Sequence, residues 1–223
     1  MNAKQLAAQK AISYVKNGMT IGLGTGSTAK EAIHALGKLV EQGLSIKALA
    51  SSVESENLAQ QVGITMAQFS EVVTLDLYID GADEVDKELN LIKGGGGALL
   101  REKILAFNSA EFIVIVDESK LVDHLGSFAL PVEVTPFGVS FTLNQLEKLG
   151  CKANIRTKNG VNFLTDNSNL ILDCDFKQFH DVEKTSCLID AIPGIVEHGL
   201  FSRSMVANVI VGYPDGTVKE LKK

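Results

Sequence analysis

Four acids fall within the eight residues IDGADEVD, Ile79 to Asp86, directly after the apolar-rich stretch VVTLDLY. Asp80 and Asp83 stand three apart across Gly81 and Ala82. A turn there would bring both carboxylates to one rim, whereas an unbroken strand would send them to opposite faces. Two close carboxylates have their pKa values forced apart, one staying charged while the other holds a proton, which suits the movement of protons between oxygens. Asp83, Glu84 and Asp86 fit equally well as caps of the next helix or as acids facing water, and the group as oxygens around a hard cation such as Mg²⁺.

Two glycine-rich stretches offer a second chemistry. In GLGTGST, Gly22 to Thr28, the glycines permit a tight turn and close backbone approach. Ser27 and Thr28 open the following helix at its positive end, so an anion is the natural occupant, phosphate before carboxylate. An ordinary helix start has the same composition. The dinucleotide pattern GxGxxG fails at Ser27, and no Walker-type GK[ST] follows. In LIKGGGGALLREK, Leu91 to Lys103, four consecutive glycines carry a large ordering cost and leave backbone N–H groups bare, which favours an anion nest over a plain loop. Lys93 stands just before Gly94, Gly95, Gly96 and Gly97. Glu102 lies in the helix expected from about Ala98. Pointing outward, it is one more solvated acid; facing the glycines, it is a partly desolvated carboxylate with a raised pKa, fit to act as a general base.

The elements that must carry these groups follow from periodicity. Ala3 to Val15 reads as a helix and MTIGLG as a strand, and Ile33, Leu36, Leu39 and Val40 recur at helical spacing after GTGST. SIKALASS, VTLDLYID and EFIVIVDES read as further strands, with SENLAQQVG and ALLREKILAF as the helices between them. This predicts an α/β fold: an open, largely parallel sheet with helices on both faces and ligands beyond the carboxyl ends of its strands. After Pro131 the order becomes β-α-β-β-α-β, from PVEVTP to IVEHGLF, the split pattern of a small α+β, ferredoxin-like domain. VANVIVG and TVKELK, joined across PDG, predict a terminal hairpin on the first sheet. The expected division is therefore an α/β domain over 1–128 and 203–223, with an insertion over 129–202.

Composition narrows the partners. The 223 residues are 45% hydrophobic with net charge −6, no Trp and only 3 Tyr, so a globular chain with few stacking platforms for bases is expected and nucleic acid is not an expected partner. No stretch approaches ~18 consecutive apolar residues and the start lacks a secretory pattern, which predicts a cytoplasmic protein with no membrane partner. Cys151, Cys174 and Cys187 lack CxxC spacing and read as reduced, buried thiols. The 4 His are scattered, so no metal site is expected.

GLGTGST, YIDGADEVD, LIKGGGGALLREK, VDESK, LPVEV and AIPGIVEHGLF together resemble the A-type ribose-5-phosphate isomerases, almost from end to end. The resemblance implies homodimers or larger homo-oligomers that interconvert the phosphosugars ribose 5-phosphate and ribulose 5-phosphate with no metal or organic cofactor. It implies substrate contacts at Thr25, Gly26, Ser27 and Thr28; at Asp80, Gly81, Ala82 and Asp83; and at Lys93, Gly94, Gly95 and Gly96. The catalytic glutamate falls on Glu102, a later substrate lysine on Lys120, and a phosphate-reaching lysine on Lys4. In the reaction so implied, one base moves a proton between C2 and C1 through an enediolate, Lys93 and glycine N–H groups steady the oxygens, and Asp80 and Asp83 bind hydroxyls and assist ring opening. Two departures stand out: Gly97 where relatives often carry alanine, and PFGVS at 136–140, which lacks the arginine of the family's PxARS segment. A related phosphosugar as substrate, or a non-catalytic sugar-phosphate-binding protein, is the alternative. A regulator's sensor domain or a coenzyme A transferase leaves Lys93, the two aspartates and Glu102 unexplained together.

Overall fold

The computed structural model describes residues 1–222. Strand and helix alternate first as α1 (Ala3–Ile12), β1 (Thr20–Leu23), α2 (Ser27–Glu41), β2 (Lys47–Ala50), α3 (Val53–Gln61), β3 (Thr65–Met66) and β4 (Leu77–Asp80). Two short strands, β5 (Glu84–Val85) and β6 (Leu91–Ile92), precede α4 (Leu99–Phe107) and β7 (Phe112–Asp117). There follow β8 (Leu130–Val134), α5 (Val139–Glu147), β9 (Lys152–Ile155), β10 (Thr157–Lys158), β11 (Val161–Asn162), β12 (Leu170–Asp175) and α6 (Val182–Asp190). The chain ends with β13 (Ile195–His198), β14 (Leu200–Phe201), β15 (Asn208–Gly212) and β16 (Val218–Lys222). By contact these elements form two compact units, one of Met1–Ala82, Arg101–Lys120 and the chain from Ser204, the other of Asp83–Leu100 and Leu121–Arg203.

The first unit is built on a seven-stranded sheet in the order β16-β15-β7-β4-β1-β2-β3. Every pairing in it is parallel except that of β15 with β16, the expected terminal hairpin, whose first strand joins β7. Ile113, Val114, Ile115 and Val116 are all buried, as a continuous apolar run must be in a sheet covered on both faces. α1 starts at a capping box in which Asn2 accepts from the Gln5 N–H and Gln5 accepts from the Asn2 N–H. It stops at Ile12, earlier than the Val15 read from periodicity, because Ser13 and Tyr14 turn the chain out. One packing detail sets up the site. Gly22 on β1 pairs in register with Tyr78 on β4, and a Cβ at 22 would stand 2.5 Å from the Tyr78 ring. The missing side chain leaves room for that ring, which also stacks on Phe112 at 4.9 Å.

In the second unit, β13-β8-β12-β9 form an antiparallel four-stranded sheet with α5 and α6 in the expected β-α-β-β-α-β order. Val132, Val134, Leu170, Leu172 and Cys174 share a buried core with Leu146 of α5 and Ile189 of α6. Three features differ from the sequence reading. IVEHGLF is not one strand: it breaks at Gly199, whose N–H donates to Pro131 O and whose carbonyl accepts from Lys93 N–H, and Leu200–Phe201 then pairs with β6. Asp83–Leu100 groups with this unit because β5 and β6 form a three-stranded sheet with β14. Of the three thiols only Cys151 and Cys174 are buried; Cys187 lies on the exposed side of α6, whose apolar contact comes from Ile189.

Candidate active site

Parallel packing of β1, β4 and β7 places three loops at the carboxyl ends of adjacent strands of the first unit. The first, Gly24–Thr28, is tied to the end of β4 by Asp80. That carboxylate is fully buried. Its Oδ1 accepts the N–H groups of Thr25 at 3.0 Å and Gly81 at 2.7 Å, and its Oδ2 accepts the Tyr78 hydroxyl at 2.5 Å. Gly24 lacks a side chain where the Asp80 carboxylate fills the space. Burial, followed by the charges of Asp80 and Glu102, holds the Tyr78 phenol well above its ordinary pKa, so it remains a donor. The Thr25 hydroxyl turns inward to Ser51 Oγ at 2.7 Å and Ser52 Oγ at 2.9 Å, and Ser55 Oγ donates to Gly24 O.

α2 begins within this stretch, at Ser27, and no side chain caps its amino end. Lys4 Nζ donates to Ser27 Oγ at 2.8 Å. A helix amino terminus with an ammonium beside it is suited to an anion. Ser27 is exposed; Thr25, Gly26, Thr28, Gly81, Ala82 and Lys120 are half-buried, and Lys120 ends the short helical turn after β7. Glu102 is buried at 3% exposure in the first turn of α4. Its charge contributes to the upward shift of Tyr78. Of the two orientations open to Glu102 in the sequence, the solvated surface acid is thereby removed.

The remaining expected residues lie in the second unit. Asp83 is half-buried, and its Oδ2 accepts the Gly95 N–H at 2.7 Å. Glu84, a plausible cap or solvated acid in the sequence, is instead buried and accepts the Gly126 and Phe128 N–H groups at 2.7 and 2.6 Å. Asp86 folds its own turn, taking the N–H groups of Glu88 and Asn90. Lys93 is buried, with its ammonium 5.5 Å from the centre of the Phe201 ring. Gly94 and Gly97 are buried while Gly95 and Gly96 are exposed. Gly97 has φ +84°, and a Cβ there would stand 2.5 Å from Phe163, so a side chain does not suit this position.

Sequence reasoning passed over Tyr78 and Arg156, whose Nη1 donates to Gly94 O at 2.9 Å and to Gly95 O at 3.1 Å. It also did not foresee that Asp190, Glu197 and His198 would converge, with potential ligand atoms within 4.8 Å of one another. Leu200 N–H donates to His198 Nδ1 at 3.2 Å, which places the imidazole proton on Nε2, facing Asp190 Oδ1 at 3.3 Å.

The chain is similar along its length to proteins of one family. Residues 47–216 fit the sequence model of Ribose 5-phosphate isomerase A (phosphoriboisomerase A). A ribose-5-phosphate isomerase A from Bacillus mycoides is 49% identical over 221 residues, spanning 99% of this chain and 99% of its own. The solved ribose 5-phosphate isomerase A of Methanocaldococcus jannaschii superimposes with a TM-score of 0.93 at 42% identity, over 99% of this chain and 98% of its own. A D-ribose-5-phosphate isomerase solved in complex with phospho-erythronic acid gives a TM-score of 0.95 at 38% identity, with 100% of both chains covered. The chain belongs to the ribose-5-phosphate isomerase A family.

The buried Tyr78–Asp80 bond yields a stability prediction. Tyr78→Phe keeps the ring stack but takes the hydroxyl donor from a fully buried carboxylate, and should lower the unfolding free energy by about 1–3 kcal/mol in urea titrations. A change within about 0.5 kcal/mol, the size usual for surface positions, would show that this hydrogen bond does not hold the turn.

Proposed function

We propose that this chain is an aldose-ketose isomerase that interconverts D-ribose 5-phosphate and D-ribulose 5-phosphate through an enediolate. The observation that carries the reading is the buried carboxylate of Glu102, placed in the first turn of the helix that directly follows a lysine and four glycines. A carboxylate shielded from water in this way can accept a proton from carbon and return it as a general base. Glu102 removes the proton from C2 of the aldose and returns it to C1, and reverses the transfer for the ketose. One base suffices because both carbons belong to one planar enediolate.

The other roles follow from chemistry. The Ser27 and Thr28 N–H groups at the uncapped end of α2, with Lys4 and Lys120, bind the phosphate. Lys93 and the N–H groups of the glycine loop meet the O1 and O2 charge that develops in the enediolate. Asp83, together with the Gly81–Ala82 backbone, takes sugar hydroxyls and handles the ring-oxygen proton during opening. Asp80, buried and saturated with donors, acts by holding the Gly24–Thr28 turn and is assigned to positioning, not to ring opening. The complex of a relative with phospho-erythronic acid supports the scheme, since that acid presents a carboxylate where the enediolate would carry its two oxygens. None of these steps requires a metal or organic cofactor. No helix among the described residues is long and apolar enough to cross a membrane. The resemblance to the family, whose members assemble as homodimers or larger homo-oligomers, supports a cytoplasmic homodimer. Sedimentation equilibrium should give about twice the 23.9 kDa chain mass; a fully active species at the chain mass would remove the dimer.

The decisive substitution is Glu102→Gln, assayed with EDTA present. It should lower turnover of ribose 5-phosphate by roughly 10² to 10⁴ while leaving phospho-erythronic acid binding nearly intact, because the amide keeps the shape but cannot accept a carbon-bound proton. Exchange of the C2 proton into labelled water should fall in parallel. Exchange at the parent rate would transfer the base to another carboxylate, and loss of parent activity in EDTA would require a metal.

A further inference from the structure

The glycine loop is gripped from one side by a residue with no assigned part in the reaction. Arg156, just beyond β9, donates through Nη1 to Gly94 O at 2.9 Å and Gly95 O at 3.1 Å. Its Nε and Nη2 engage the two oxygens of Asp173 on β12 at 3.0 and 2.5 Å. A guanidinium held by a bidentate carboxylate has its plane fixed, so the direction of its remaining donor is fixed as well. The side chain is only 14% exposed, and the Phe163 ring, which occupies the space beside Gly97, lies 6.0 Å from the guanidinium carbon.

Peptide geometry turns this grip into an orientation. The peptides here are trans, and a trans peptide carries its C=O and N–H on opposite sides. Drawing Gly94 O toward Arg156 turns the Gly95 N–H away from it, and that N–H is found on Asp83 Oδ2 at 2.7 Å. By the same rule, drawing Gly95 O toward Arg156 turns the Gly96 N–H away. Gly95 and Gly96 are the exposed pair of the four, so this rotated peptide is the one a ligand can reach. Glycine permits either flip of such a peptide at little steric cost, and in the wrong flip a carbonyl oxygen would face the ligand.

We propose that Arg156 is a positioning residue for the isomerisation: it locks the Gly95–Gly96 peptide so that the Gly96 N–H is presented to the enediolate oxygen. It acts through the loop and does not touch the substrate. The inference rests on the reading that the glycine loop meets the reacting oxygens. A donor aimed at charge that develops only during reaction raises kcat more than it tightens ground-state binding. A lysine at 156 would supply a point charge without the fork, and so would restore only part of the effect.

The test combines kinetics with ¹H–¹⁵N spectra of Gly95 and Gly96, recorded with and without phospho-erythronic acid. Arg156→Gln is expected to lower kcat by about 10- to 100-fold, the scale of a misplaced catalytic donor, with KM and analogue Kd changed less than about threefold. The Gly96 amide should move in the free variant, and Arg156→Lys should fall between the two. If the Gln variant does not fold, Asp173→Asn, which loosens the fork while keeping the arginine, should show the same kcat-weighted loss. Should the parent Gly95 and Gly96 amides ignore the analogue, the loop is not at the reacting oxygens, and the reading beneath the proposal fails with it. Should they respond in the parent while the variants keep parent kcat, or lose affinity alone, the positioning role is overturned and that reading stands.

Discussion

Backbone N–H groups at the ends of buried strands must find acceptors, and in this protein carboxylates supply them. Each acid of IDGADEVD takes main-chain donors: Asp80 those of Thr25 and Gly81, Asp83 that of Gly95, Glu84 those of Gly126 and Phe128, and Asp86 those of Glu88 and Asn90. A charged acceptor makes shorter and stronger bonds to N–H than a carbonyl does, and a buried one is costly to leave without its donors. The acids therefore fix the shape of loops whose own glycines would otherwise leave them loose.

This constraint connects the fold to the chemistry. Gly22 opens space for the Tyr78 ring, the Tyr78 hydroxyl meets Asp80, and Asp80 shapes the turn that precedes α2. In the second unit Asp83 and Arg156 hold the glycine loop from opposite sides of its peptides, one on an N–H and the other on the carbonyls. An isomerase that works by proton transfer gains most from donors already in place when charge appears, because no reorganisation then falls within the chemical step. The strands and clamps provide that rigidity before any ligand arrives.

Much of this was legible in the sequence. The alternation of apolar runs with 3.6-residue periods gave the α/β order, and the PDG turn between two short strands gave the terminal hairpin, because both are local properties of the chain. The glycine runs and Glu102 were also legible, through their composition and the family resemblance. Arg156 was not: one arginine in NIRTK reads as an ordinary strand residue, and its contact with Gly94, 62 positions earlier, exists only after folding. Tyr78 was hidden inside an apolar run, where a buried ring and a buried hydroxyl donor look alike. Asp80 was read as a rim acid because a strand end with four acids suggests water, and only the three converging donors show why it is fully buried. The break at Gly199 and the exposure of Cys187 depend on which neighbours each segment meets.

Amide hydrogen exchange on the ligand-free protein tests this account most directly. Thr25, Gly81, Gly95, Gly126 and Phe128 all lie outside the regular strands and helices, where amides ordinarily exchange fast. If carboxylates hold these N–H groups before substrate binds, each should exchange at least ~100-fold more slowly than in an unstructured chain, and protection should not wait for phospho-erythronic acid. Rates within ~10-fold of the unstructured value, slowing only when that acid is added, would show that the ligand orders the loops and that the acids do not.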